Sequence, residues 1–261
     1  VRVEDITVHS GDTDHCPPDL GAWGSRQTLM AGNAVKMAAE SVKKQLPEFA
    51  AAKLNPNIVY DLDIRDGWAH LKARPERGID YFELVREAIR GKDGQKIVGR
   101  GYYTPHRKGM ISPAYSYMVQ AVELEIDEET GKMRLLNCVT AHDCWQPINP
   151  LGLTGQLEGA ASMAIGYGYL EYMPFEDGKM LNPNLVDYKI IRAPEMPDCP
   201  VLEVETYEPE GPYGAKEAGE GLTNPTAAAM GNAIYHALGV QMKENPILPE
   251  ALLKAIRENV S

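Results

Sequence analysis

The sequence predicts a protein built of both helices and β-strands, and two observations carry that prediction. Apolar residues recur at helical spacing in several separate segments, and between them lie strand-like runs joined by short turns rich in Asp and Gly. Length and composition permit it: 261 residues, 44% of them hydrophobic and 24% charged, can bury one large core or two small ones. We treat residues 1–261 as one region with approximate subdomains 1–115 and 116–261.

Taken in order, residues 1–8 alternate like a strand in mid-domain, with neither a start methionine nor a signal peptide ahead of them. That suggests a processed, split or partial chain, and leaves an upstream export signal open. Ala31, Ala34, Val35, Ala38, Val42 and Leu46 form an apolar helical stripe, with Ser25 placed as its N-cap. Residues 58–64 and 68–73 read as two strands joined near Asp66-Gly67. A helix is expected over 79–90, and a polar glycine-rich turn leads into an extended segment over 91–101. Residues 117–126 and 132–140 form a strong hairpin across the acidic turn 127–131, which lacks calcium-loop spacing and reads as solvated. A small-residue helix over 160–168 follows, then a connection and a strand over 181–197, and another strand over 199–206. The last helices begin at Asn224, with Ala227, Met230, Gly231, Ile234, Ala237 and Leu238 on one face, and at Pro249.

Charge narrows the function classes. A net charge of -11 disfavours nucleic acid or an anionic membrane as partner, and no run approaches the roughly 18 apolar residues that span a bilayer. Cys16, Cys138, Cys144 and Cys199 form no Cys-x-x-Cys pair, hence no iron–sulfur, zinc or disulfide framework, and a reducing cytoplasmic compartment is the default.

The chemistry concentrates in residues 212–221, Pro-Tyr-Gly-Ala-Lys-Glu-Ala-Gly-Glu-Gly. Gly214, Ala215, Ala218 and Gly219 leave the backbone open to close approach, while Glu220 stands just ahead of a helix's positive end, where a carboxylate is held ionised. A tight connection with an acidic cap would look the same locally. Gly24, Ser25 and Arg26 at a helix start suit a phosphate, although a serine there more often only caps. His142-Asp143 reads either as an acid–base pair or, more commonly, as structural hydrogen bonding, and Cys144 as a buried inert thiol.

Lys216-Glu217-Ala218-Gly219-Glu220-Gly221, followed by a small-residue helix containing Gly231-Asn232-Ala233-Ile234, resembles the active-site loop of the molybdenum hydroxylases, the xanthine oxidase family. Two further stretches resemble that family in its order: Gly11-Asp12-Thr13-Asp14 with Gly24-Ser25-Arg26, and Asp143, Asn149-Pro150, Gly155-Gln156, Glu158-Gly159. Ala22, Trp23 and Cys144 depart from its usual residues. Within the family, Gly214-Ala215-Lys216-Glu217-Ala218-Gly219-Glu220-Gly221 and Arg26-Gln27-Thr28-Leu29-Met30-Ala31-Gly32-Asn33 resemble the bacterial 4-hydroxybenzoyl-CoA reductase and nicotinate dehydrogenase branch.

The resemblance implies the C-terminal portion of a molybdopterin-binding large subunit, with the family's α+β fold of mixed sheets and packed helices. It implies molybdopterin cytosine dinucleotide carrying molybdenum, the metal being held by the pterin dithiolene and by no side chain. Gly24, Ser25, Arg26, Gln27 and Gln156 would contact the pterin and its phosphate, with the backbone from Lys216 to Gly219 beside the metal. Glu220 would be the base that activates a metal-bound oxygen for attack on an aromatic or N-heterocyclic carbon, hydride passing to a sulfido ligand, or the reverse in reductive dehydroxylation. It further implies an iron–sulfur subunit, a flavin (FAD) subunit and a chain carrying the N-terminal half. The alternative is a non-catalytic cofactor-binding or assembly subunit completing a partner's site.

Overall fold

The computed structural model describes residues 1–54, 61–90, 97–105 and 112–260. Within it the chain forms two compact units, one of Val1–Trp23 with Met30–Pro105, the other of Gly24–Leu29 with His106–Ser261.

In the first unit the expected strand over 1–8 is absent, and Val3–Asp5 is instead a single 3-10 turn. The Arg2 guanidinium grips the Asp5 carboxylate at 2.8 and 2.9 Å, a local pairing that favours a turn where, among the described residues, no neighbouring strand completes a ladder. Helix α1 runs Gln27–Leu54, and its residues from Met30 onward belong to this unit. Strands β1 (Leu62–Arg65), β2 (Trp68–Leu71) and β3 (Arg74–Asp80) make an antiparallel sheet in that order. Asp66 and Gly67 both take positive φ, 51° and 78°, which suits a two-residue hairpin loop. The polar sequence of β3 hid it from pattern reading, and Pro75 is tolerated because β3 is an edge strand. Helix α2 (Tyr81–Arg90) starts just after Asp80, whose carboxylate accepts the Phe82 and Glu83 N–H groups. Leu46, Ala50, Leu62, Ala69, Leu71, Ile79 and Leu84 form the core of this unit. The expected strand residues 58–60 and turn residues 91–96 lie outside the described residues.

In the second unit β4 (Tyr117–Ile126) and β5 (Met133–Asp143) form the predicted hairpin, paired from Tyr117↔Asp143 to Ile126↔Met133. Helix α3 spans Pro150–Tyr169 and so begins ahead of the expected position 160. Asn149 caps it, its carboxamide oxygen accepting the Gly152 N–H at 3.1 Å, and Pro150 occupies the first turn where its missing N–H costs nothing. Gly152, Gly155 and Gly159 blur the helical period in this stretch. After α3 come the two-residue strands β6 (Phe175–Glu176) and β7 (Lys179–Met180). No strand forms over 181–197. Asn184 instead accepts the Val186 and Asp187 N–H groups in an Asx turn, which competes with extended pairing. Strand β8 (Val201–Val204) adds to β5 in parallel, pairing Thr140↔Val201 through Asp143↔Val204. Helices α4 (Thr223–Leu238) and α5 (Pro249–Val260) complete the unit. Leu135, Cys138, Ile165, Met230, Ile234 and Leu252 pack the sheet against α3, α4 and α5. The α+β class expected from the sequence is thus the observed one. Among the described residues no helix is long and apolar enough to cross a membrane.

Candidate active site

Residues 211–222 lie across one end of the β4–β5–β8 sheet and are fastened to it by groups from β4, β5 and the chain after β8. The Lys216 N–H donates to the Cys144 carbonyl (3.1 Å), and its ammonium donates to Asp143 Oδ2 at 2.6 Å. The other oxygen of Asp143 accepts the Thr206 N–H at 3.2 Å. Both side chains of the ion pair are buried, at 3% and 8% exposure, and the Tyr117 ring centroid lies 5.5 Å from the ammonium. His142 Nε2 donates to the Glu217 carbonyl at 3.2 Å, which places its proton on Nε2. Burial pushes the His142 pKa down, so the ring is held neutral. Ser116 Oγ donates to Glu217 Oε1 at 2.5 Å.

The small residues of this loop serve two ends. Gly214 and Ala215 are buried, contrary to the expectation that all four would expose backbone, because a Cβ on Gly214 would collide with the Tyr207 ring and meet Trp145 Nε1 at 2.8 Å. Trp145 and Tyr207 in turn pack edge to face, 5.3 Å between centroids. Ala218 and Gly219 are only half-buried. Gly219 takes φ 152° and ψ -102°, a conformation open essentially to glycine alone, and the chain then turns into a short 3-10 segment, Glu220–Leu222, ahead of α4.

Glu220 is exposed and braced by Ser25. Ser25 Oγ donates to Glu220 Oε2 at 2.9 Å and accepts the Glu220 N–H at 3.0 Å. Ser25 is therefore not the N-cap of α1: its hydroxyl is committed to a residue 195 positions away, and α1 starts only at Gln27. Gly24 and Ser25 adopt successive left-handed conformations, φ 65° and 52°, a sharp bend that aims this hydroxyl at the loop. Arg26 behind the bend is buried at 6% exposure, while Gln27 is exposed. On α3, Gln156 is exposed and faces the same spot: a Cβ on Gly219 would lie 2.9 Å from Ser25 Oγ and 3.5 Å from Gln156 Oε1. Beside them a cavity of about 380 Å3 is lined by Thr28, Cys144, Asn149, Gln156, Lys216 and Ala218 among others. A hollow of about 910 Å3 between β5 and residues 182–198 contains none of the residues around Glu220.

Of the residues singled out in the sequence, Ser25, Gln156, Gly219 and Glu220 converge, with Gly24 as the bend beneath Ser25. The Lys216 side chain turns inward to Asp143, so only its backbone belongs to the outer surface of the loop. His142 and Asp143 are joined to the loop as hydrogen-bonding partners, not to each other. Cys144 is buried at 3% exposure, and burial pushes its thiol up to about 11, the inert state expected of it. Sequence reasoning missed Ser116, Tyr117 and Thr206, whose parts depend on where strand ends fall and which carry no local signal.

Comparison with known proteins gives the class, a cofactor-binding domain. Residues 1–197 match the family described as the Molybdopterin cofactor-binding domain, and the chain belongs to it, within the xanthine oxidase type of molybdenum-binding subunit. It is 34% identical over 268 residues to a putative xanthine dehydrogenase molybdenum-binding subunit of Escherichia coli K12, covering 97% of this chain and 33% of that protein. It is 31% identical over 259 residues to the gamma subunit of the 6-hydroxypseudooxynicotine dehydrogenase complex of Paenarthrobacter nicotinovorans, covering 97% of this chain and 32% of that one. Its fold superposes on the CO dehydrogenase of Oligotropha carboxidovorans with a TM-score of 0.85 and 26% identity, over 98% of this chain and 32% of that structure's. The chain therefore spans about a third of the length of these relatives.

The residues present fit such a group. Ser25 Oγ, whose proton goes to Glu220, can still accept, and the exposed Gln156 carboxamide can both donate and accept, which suits a pterin ring edge beside the bare backbone of Gly219.

Proposed function

We propose that this chain is the catalytic portion of a molybdenum-pterin oxidoreductase subunit, with Glu220 as its proton acceptor. The observation that carries this reading is the exposed Glu220 carboxylate, held by two hydrogen bonds to Ser25 at the place where Gly219 and Gln156 meet. When bound, the molybdenum-pterin group supplies the two-electron redox step at the substrate carbon. The chain's own residues then do the following. Gln156 and Ser25 hold the pterin edge, with the exposed Gln27 and the backbone of Gly24 and Gly219 beside them; Arg26 lends positive charge behind the bend toward the phosphate. Lys216 contributes only its main chain to this surface. Ser25 engages Oε2 of Glu220, and among the described residues Oε1 carries no hydrogen bond, so Oε1 is the oxygen that accepts the proton.

The cofactor is the cytosine dinucleotide form, the substrate an aromatic or N-heterocyclic compound, and the compartment the cytoplasm. Two of the relatives, named for xanthine and for 6-hydroxypseudooxynicotine, support this substrate class. Electrons leave through an iron–sulfur subunit and a flavin subunit, and a segment or chain corresponding to the N-terminal half completes the pocket. Turnover of a free N-heterocycle against an aryl-CoA thioester separates hydroxylation from reductive dehydroxylation.

Glu220→Gln keeps the side chain's size and its bond from Ser25 but cannot accept a proton. In the full assembly it should retain molybdenum while turnover falls about 10²–10⁴-fold, the usual worth of a positioned base. Turnover within threefold of wild type would remove Glu220 from the chemistry.

A further inference from the structure

We propose that Asp143 and Lys216 are positioning residues, whose buried ion pair registers residues 216–220 on the end of the sheet and thereby sets where the Glu220 carboxylate points. This rests on the reading of Glu220 as proton acceptor. Two charges buried at 3% and 8% exposure give up more hydration than an apolar pair of the same size, so bulk stability is a poor reason for them. What they provide is a single register. Asp143 is itself fixed, because β5 ends on it and the Thr206 N–H occupies Oδ1, leaving Oδ2 for one ammonium at 2.6 Å.

The position so set is passed along the chain. At Lys216 the main chain is tied to Cys144, and at Glu217 both the carbonyl and the carboxylate are tied, by His142 and by Ser116. Only Ala218 and Gly219 separate these anchors from Glu220. A Cβ on Gly221 would collide with Met118, so the chain beyond Glu220 also lies flat on β4. The Glu220 carboxylate thus has an anchored stretch before it, a packed glycine after it, and Ser25 at its tip. A displacement of about 1 Å at a catalytic group can cost on the order of 100-fold in rate, so a slip at Lys216 is felt at Glu220.

The test uses the full assembly containing this chain, in wild-type form, as Asp143→Leu/Lys216→Met, which replaces the pair without stranding a charge, and as Lys216→Arg. Hydrogen exchange over residues 214–222, molybdenum content, kcat and KM are measured. In the wild type the Lys216 amide should be protected well beyond the time scale of open loops; exchange at the open-loop rate overturns the proposal whatever the variants do. The double variant should keep its molybdenum, exchange at least tenfold faster over 214–222, and lose at least tenfold in kcat with KM within threefold. Lys216→Arg should lie between. Exchange and kcat both within twofold of wild type in the double variant would reduce the pair to packing. Glu220→Gln in the same series separates the two ideas: normal turnover there defeats the base assignment, while loop exchange still judges the clamp.

Discussion

Gly219→Ala strikes where backbone and site coincide. At φ 152° and ψ -102° any Cβ residue is strained, and holding one there costs on the order of 1–3 kcal/mol. The added methyl would also lie 2.9 Å from Ser25 Oγ and 3.5 Å from Gln156 Oε1, so Ser25 must retreat by a few tenths of an ångström. Its bonds to Glu220 at 2.9 and 3.0 Å lengthen together. For a unit of this size each kcal/mol shifts the melting temperature by about 2–4 °C, so a fall of about 2–12 °C is expected by calorimetry. Molybdenum content of the assembly should fall as well, because the new methyl occupies the space between hydroxyl and carboxamide. Gly231→Ala on α4 is the control: nothing lies within 4 Å of its Cβ, and removing a helical glycine should stabilise by about 0.5–1 kcal/mol. A Gly219→Ala protein with wild-type melting and undiminished molybdenum would refute both the strain and the cradle.

Two further outcomes follow from burial at the sheet end. With its thiol pushed up to about 11, Cys144 is about one part in a thousand thiolate at pH 8, so iodoacetamide should label the partly exposed Cys16 and spare Cys144 until the protein unfolds. Early native-state labelling of Cys144 would contradict its placement. His142, held neutral by burial, makes a contribution to stability that is complete above the ordinary histidine pKa of about 6.5 and is lost as pH falls from there toward its depressed folded value. Wild type should therefore lose up to about 1.4 kcal/mol per pH unit more than His142→Gln over that window in denaturant titrations. Equal slopes would show that His142 does not couple to folding.

Much of the fold was legible because short-range rules decide it. The alternation of β4 and β5 around the turn at 127–131, the Asp66-Gly67 hairpin and the apolar faces of α4 and α5 each depend on neighbours a few residues away. Where the rules failed, something from afar or something without pattern took over. Residues 1–8 had the right alternation for a strand but, among the described residues, no strand pairs with them. The polar β3 acquired its conformation from β2 alone, and the glycines of α3 hid a helix that Asn149 and Pro150 begin.

The site divides along the same line. By itself the sequence determined the chemical inventory: one carboxylate after a glycine, a Gly-Ser-Arg bend, a glutamine, and a family likeness carried by their order. Tertiary structure alone decided that Ser25 braces Glu220 instead of capping a helix, that Lys216 points inward to Asp143, and that His142 and Ser116 hold the loop's Glu217. These pairings join residues 73 to 195 positions apart. No local propensity encodes such distances, because the energy that selects them appears only once packing has stripped water from the groups involved.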